Sequence, residues 1–394
     1  MKKRSVYIAL LMLAGQYLVS CSTVGDSFVD DSPAYSESSE SGDNNDGDIY
    51  NIPTPQPGVL TAGEWNDLDN WSFWNNILAD SAYKSMPDYW KFYTNNRVSL
   101  LLTTPNGSPL ANAVVELQRN GVTVFATRTD NRGKAELWTD IFQKNTSVDY
   151  SGLTLLINGV AAEDITVKPF TQGVNEITVV AEPPANRIEI ALVVDATGSM
   201  GDELEYIKTE LTDVIGRVKG DNATAEILTS AVFYRDKGDD YVTRVSGFSN
   251  DVSVTGKFIK AQSADGGGDF PEAVHTALDK ASNELQWSDD AKTRLMFLIL
   301  DAPPHYESDV IKSIQTSVKT IAEKGIKIIP ITASGINKET EFLMRFLATI
   351  TNGTYVFITD DSGVGNKHLT PTVGEYQVEY LNDLMVRLIN KYSE

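Results

Sequence analysis

The second half of the chain alternates nearly continuous apolar runs with amphipathic segments. Residues 187–194 and 295–300 are mostly apolar, as buried parallel strands are. Between them, over residues 204–218, apolar side chains recur at helical spacing. Strands that alternate with helices build a doubly wound sheet with helices on both faces. The pattern therefore predicts an α/β domain with a mostly parallel, Rossmann-like sheet over residues 187–394.

Short apolar runs separated by turn sequences occupy residues 97–185. Turn-forming residues cluster at 105–109 and again at 130–134. Several short strands at such spacing predict a small all-β sandwich. The two turns and the strands around them resemble carboxypeptidase regulatory-like domains. That resemblance implies a prealbumin-type sandwich that serves as a spacer or stalk.

Residues 61–96 are rich in aromatic side chains and contain four of the six tryptophans. Trp71, Trp74 and Leu78 follow the spacing of one helix face. We expect a helical segment that packs on the next domain, and the alternative is an aromatic surface that binds glycans or a partner.

Residues 22–60 are rich in Ser, Asp, Asn, Gly and Pro, and no Lys or Arg occurs between Arg4 and Lys84. Such a composition buries too little apolar surface to offset the entropy of the chain. It predicts a disordered acidic linker.

The N-terminus has the pattern of an export signal. Basic residues at 2–4 precede an apolar run at 6–14 that is too short to span a membrane. The sequence at 18–21 ends in Cys21, the one cysteine of the chain. It resembles the lipobox of bacterial lipoproteins. That resemblance implies cleavage of a signal peptide over 1–21, lipidation of Cys21 and a place in the cell envelope, most simply the outer membrane, on its periplasmic or surface face. An ordinary secretory signal is the alternative.

The net charge of −21 comes from 54 acidic and 33 basic residues. Binding to nucleic acid needs a dense basic surface, so we expect no nucleic-acid partner.

Hydroxyl and carboxylate side chains follow the predicted strands, where an open parallel sheet binds its ligands. Asp195, Thr197 and Ser199 alternate directly after the first strand, so their oxygens can converge. Asp269 follows three glycines, and Asp301 follows the strand at 295–300. These five residues are the candidate metal ligands. Hard oxygen ligands of this kind suit a divalent cation, Mg²⁺ first, with Mn²⁺ or Ca²⁺ as alternatives.

This set resembles the metal-ion-dependent adhesion site of von Willebrand factor A domains, over roughly residues 187–394. Asp195, Thr197 and Ser199 match its first element and Asp301 its last aspartate, whereas Asp269 stands where the family has a threonine. The resemblance implies a cation-dependent protein or glycan partner. Candidate partner contacts are Asp265, Glu272 and His305.

Two rival functions stay open at this stage. One is a metal-assisted hydrolase, in which Glu272 or His305 is the base. The other is a structural envelope component whose metal only stabilises the fold. The sequence contains no nucleotide-binding loop and no serine relay beside Ser199. We therefore expect a binding protein and not an enzyme.

Overall fold

The structure is a computed structural model that describes residues 55–394, except for residues 81, 145, 146 and 164. The predicted signal peptide, Cys21 and nearly all of the predicted linker lie outside the described residues. Within the described part, no helix combines the length and the hydropathy needed to cross a bilayer.

An eight-stranded sheet forms the centre of the described chain. Its five middle strands run parallel, and each of the three strands outside them pairs antiparallel with its inner neighbour. This architecture confirms the predicted α/β fold with a mostly parallel sheet. Across the sheet, the strands are β11 (Thr243–Ser249), β10 (Glu226–Tyr234), β9 (Ala185–Asp195), β12 (Ala291–Leu300), β13 (Ile326–Thr332), β14 (Tyr355–Ile358), β1 (Thr61–Trp65) and β15 (Glu379–Tyr380).

Helices cover both faces of this sheet. Ile190 and Leu192 of β9 face one apolar layer, and Ala191 and Val193, which alternate with them, face the other. The first layer is formed with α3 (Leu204–Asp221), α4 (Val252–Lys260) and α8 (Leu381–Ser393), and the second with α5 (Val274–Asn283), α6 (Ser308–Glu323) and α7 (Lys338–Ile350).

The residues between β1 and β9 in the sequence form two smaller sheets. Their inward-facing residues, such as Leu100, Leu117 and Leu155, share one apolar core. One sheet has the order β5-β2-β8 and the other β4-β3-β6-β7. The strands are β2 (Arg97–Thr103), β3 (Val114–Arg119), β4 (Val122–Arg128), β5 (Lys134–Trp138), β6 (Leu153–Ile157), β7 (Val160–Ala161) and β8 (Asn175–Thr178).

The N-terminal limits of the domains differ from the prediction. Residues 61–65, expected to belong to a helical segment, form β1 and pair with β14 and β15. The backbone amides of residues 58–60, expected in the linker, donate to the buried carboxylate of Glu210 on α3 at 2.8–3.1 Å. A five-residue strand is too short to show an alternating pattern, so its pairing with a distant strand was not visible in the sequence.

The rest of the aromatic segment contains two short helices, α1 (Trp71–Ile77) and α2 (Met86–Trp90). Both pack on α7 of the α/β domain. Trp74 stacks on Phe342 with ring centroids 5.6 Å apart, and the indole nitrogen of Trp90 donates to the Glu339 carbonyl at 2.9 Å. The α/β domain is therefore built from two separate stretches of sequence, with the small sheets inserted between them.

Candidate metal centre

The carboxyl ends of β9 and β12 bring two aspartates to the same edge of the sheet. The two strands are parallel neighbours, with Val194 opposite Ile299. Asp195 is the last residue of β9 and Asp301 follows the last residue of β12. Both side chains are buried, with 0% and 4% of their surface exposed.

The loop after Asp195 turns its hydroxyls toward that carboxylate. The backbone amide and the hydroxyl of Thr197 both donate to Asp195 Oδ1, at 2.9 and 2.7 Å. The hydroxyl oxygens of Thr197 and Ser199 are 3.2 Å apart. Thr197 is buried whereas Ser199 is exposed, so the group of oxygens reaches from the interior to solvent.

The three-glycine loop packs directly against these residues. Gly198 N donates to the Gly266 carbonyl at 3.0 Å. Gly266 and Gly267 have φ values of +76° and +71°, which favour glycine. A Cβ on Gly267 would lie 2.9 Å from Glu272 Oε1 and 3.2 Å from Thr197 Cβ. Glycine is therefore needed here both for the turn and for the close approach of two site residues.

Asp195, Asp301 and Glu272 form a cluster of three carboxylates, which does not include Asp269. Glu272 is 2% exposed, and its backbone amide donates to the Pro303 carbonyl at 2.8 Å, next to the Asp301 loop. Asp269 is exposed on the loop, and no hydrogen bond or ion pair among the described residues joins it to the cluster. Gly266 and Gly267 have positive φ and turn the chain here. The chain therefore passes the site at Asp269 and returns to it at Glu272.

In each of the three clustered acids, one carboxylate oxygen is buried without a hydrogen-bond partner. They are Asp195 Oδ2, Asp301 Oδ1 and Glu272 Oε2. Buried polar atoms are nearly always paired, and the buried, neutral Tyr234 hydroxyl beside Asp195 can donate to only one of these acceptors, so the cluster lacks positive charge. Among the described residues, no three carboxylate, imidazole or thiolate side chains are arranged to hold a metal ion by themselves. The fit to a cation therefore depends on the hydroxyls of Thr197 and Ser199 as well.

Burial and mutual repulsion raise the pKa of each of these acids. Burial and the charge of Asp301 raise the pKa of Asp195 to about 7. Burial and the charge of Glu203 raise the pKa of Asp301 to about 6. Burial and the charge of Asp195 raise the pKa of Glu272 to about 9. Near neutral pH the cluster thus resists carrying its full negative charge without a counter-ion.

The expected partner contacts lie at different depths around this cluster. Glu272 is part of the cluster itself, as described above. Asp265 is exposed beside the glycine loop, with a long ion pair of 3.8 Å to Arg235. His305 Nε2 lies 2.8 Å from Asp236 Oδ1 on the neighbouring loop. Asp265 is thus available at the surface, whereas His305 is held in place by Asp236.

Asp239 has a role that the sequence did not single out. Its carboxylate accepts hydrogen bonds from Gly267 N at 3.0 and 3.1 Å and from Asp236 N at 3.0 Å. It therefore fixes the glycine loop to the loop that follows β10. The only signal in the sequence was the acidic stretch after Tyr234.

Comparisons with known proteins identify the type of domain in the second half of the chain. A family model described as von Willebrand factor A domain matches residues 189–365. An ariadne-like RING finger protein of Acanthamoeba polyphaga mimivirus is 30% identical over 134 residues. The match covers 34% of this chain and 13% of that protein, so most of the relative has no counterpart here.

Solved structures resemble the chain more distantly. BatB of Bacteroides thetaiotaomicron is 12% identical with a TM-score of 0.35, over 52% of this chain and 98% of that one. An aerotolerance-related membrane protein of Bacteroides fragilis is 14% identical with a TM-score of 0.33, over 52% and 99%. The pilus adhesin SpaC of Lactobacillus rhamnosus GG is 11% identical with a TM-score of 0.36, over 52% and 29%. TM-scores this low do not establish a shared function. The match to the family model nevertheless shows that the chain contains a von Willebrand factor A-type domain.

Proposed function

We propose that the von Willebrand factor A-type domain binds one divalent cation and captures a protein partner through it. Asp195, Thr197, Ser199 and Asp301 would hold the ion, and Glu272 would contribute a further oxygen. The single observation behind this proposal is the set of three buried carboxylate oxygens without partners. Oxygen ligands of this type suit Mg²⁺ best, and Mn²⁺ or Ca²⁺ would also fit. The cation would supply a positive charge to which a partner's oxygen can bind.

The surface around the centre supports a role in binding a protein. Ser199 and the glycine loop are exposed, so a partner can approach the ion. Phe270, at the end of the loop, has 48% of its surface exposed. An exposed aromatic ring beside a polar centre is typical of the anchor of a protein interface.

Removal of the two hydroxyls tests the proposal. Thr197→Val combined with Ser199→Ala keeps the volume of the buried residue but deletes two ligand oxygens. We expect the metal-free protein to lose about 1 kcal/mol, the value of one hydrogen bond to Asp195. Magnesium-dependent capture of envelope proteins by the immobilised full chain should fall to the level seen in excess chelator.

The control is Ser72→Ala, an exposed serine on α1, which should capture like wild type. Full capture by the double variant, or capture that persists in chelator, would contradict a cation-dependent partner. If the double variant loses capture only to the extent that it unfolds, the result would instead favour a metal that only stabilises the fold.

The envelope location rests on the N-terminal sequence, and we propose that a lipid on Cys21 anchors the chain. Cys21→Ala should remove labelled palmitate from the protein. It should also release the protein from the membrane fraction or leave the signal peptide uncleaved. Ser22→Ala serves as the control and should fractionate like wild type. A Cys21→Ala protein that is processed and stays in the membrane would exclude lipidation at this position.

A further inference from the structure

A cavity lies between the aromatic segment and the small sheets, apart from the metal centre. Its volume is about 550 Å³, within the range of ligand pockets. Trp71, Tyr150 and Phe170 line it, and each ring is half-buried. The metal centre uses none of these residues.

Trp71 is less buried than two other tryptophans of the aromatic segment. Trp74 and Trp90 are almost completely buried against α7. Trp71 packs on Trp138 at one side, with ring centroids 5.7 Å apart, and still borders the cavity. It is therefore the tryptophan of this segment that both supports the fold and faces the cavity.

The rings of Trp71 and Phe170 form an aromatic wall of the cavity, and Arg97 holds this wall in place without a ligand. The guanidinium of Arg97 lies 3.8 Å from the ring centroid of Phe170 and 4.8 Å from that of Trp71. A buried cation between two rings fixes both of them. A rigid wall of this kind loses little entropy when a ligand binds.

The cavity offers polar groups without a net charge. Among the described lining residues Arg97 is the one charged residue, and Glu136 accepts two hydrogen bonds from it at 2.7 and 2.8 Å. Of its polar lining residues, Asn75 is exposed, and its side-chain nitrogen donates one hydrogen bond, to the Trp71 carbonyl at 2.8 Å. An amide carries both donors and an acceptor, as a sugar hydroxyl does.

We propose that this cavity binds a short neutral saccharide, independently of the metal centre. The C–H groups of a sugar ring suit the half-buried rings of Tyr150 and Phe170, and its hydroxyls suit the amide of Asn75. The compensated charge of Arg97 offers no free cation for an anionic ligand.

The experiment titrates the full chain with neutral disaccharides built from glucose, galactose, mannose or N-acetylglucosamine. Calorimetry and tryptophan fluorescence follow binding. We expect at least one disaccharide to saturate one site with a Kd of ~1 mM or tighter. Asn75→Ala should weaken that binding about fivefold, the worth of one hydrogen bond, and Phe170→Ala about tenfold.

Gln172→Ala is the matched control, because Gln172 is exposed in the same short turn as Phe170 but does not line the cavity. It should bind like wild type. Asn75 is an exposed helix residue, so its variant should keep the unfolding temperature and stay informative if Phe170→Ala unfolds. The proposal fails if no neutral disaccharide saturates below ~10 mM. It also fails if only acidic saccharides bind, or if folded Asn75→Ala binds with wild-type affinity.

Discussion

Arg345→Ala is expected to lower the free energy of unfolding by about 3–5 kcal/mol, because it leaves buried carboxylates without their cation. Arg345 on α7 is completely buried, and its guanidinium donates to both carboxylate oxygens of Asp67, one of them at 2.9 Å. Glu341 Oε1 lies 3.5 Å from the same guanidinium. The pair joins the N-terminal stretch of the α/β domain to its C-terminal stretch, so its loss should also loosen α1 and α2 from α7.

Chemical unfolding of the full chain measures this effect. Arg387→Ala is the matched control, since Arg387 pairs with Glu64 and Glu379 but has 43% of its side chain exposed. Exposed ion pairs contribute about 0–1 kcal/mol, so the control should lose little. Equal losses in the two variants would contradict the view that the Asp67–Arg345 pair locks the two stretches together.

The second large effect is on the pH dependence of stability. Without a divalent cation, the free energy of unfolding should fall as the pH rises from about 4 toward 9. The pKa of Asp195 rises on folding to about 7, that of Asp301 to about 6 and that of Glu272 to about 9. Because these pKa values are raised, the folded state holds protons that the unfolded state releases across this window. Folding is therefore favoured at low pH and weakened as each group must ionise.

Two comparisons make this prediction specific. Asp195→Asn keeps the acceptor for Thr197 but removes the charge, so the metal-free variant should lose less stability between pH 5 and pH 8 than wild type. Mg²⁺ competes with protons for the same oxygens, so its stabilisation of wild type should grow over that interval. At a hundredfold excess over Kd it reaches about 2.7 kcal/mol. Metal-free wild type that gains stability from pH 5 to pH 8 relative to Asp195→Asn would contradict this account.

Several features of the fold could be predicted because they depend on local sequence. The apolar run at 295–300 is β12 in the structure, and the alternating Asp195, Thr197 and Ser199 do lie together at the end of β9. Buried parallel strands are apolar throughout, and the residue that follows such a strand lies at the ligand-binding edge. Neither inference requires knowledge of distant contacts.

Other features depend on contacts that no local pattern encodes. β1 pairs with β14, almost 300 residues away in the chain. Similarly, the choice between Asp269 and Glu272 depends on the path of the chain after two glycines with positive φ. Those glycines predict a turn. The direction of the turn is set by Asp239, which lies in another loop and whose carboxylate accepts hydrogen bonds from Gly267 N.

Calorimetric titration of the full chain with Mg²⁺ at pH 8 tests the central claim most directly. Wild type should bind about one ion, Asp195→Asn should bind none, and Asp269→Asn should bind like wild type, because Asp269 is exposed and outside the cluster. An Asp195→Asn isotherm that matches wild type would contradict a cation centre at this edge of the sheet.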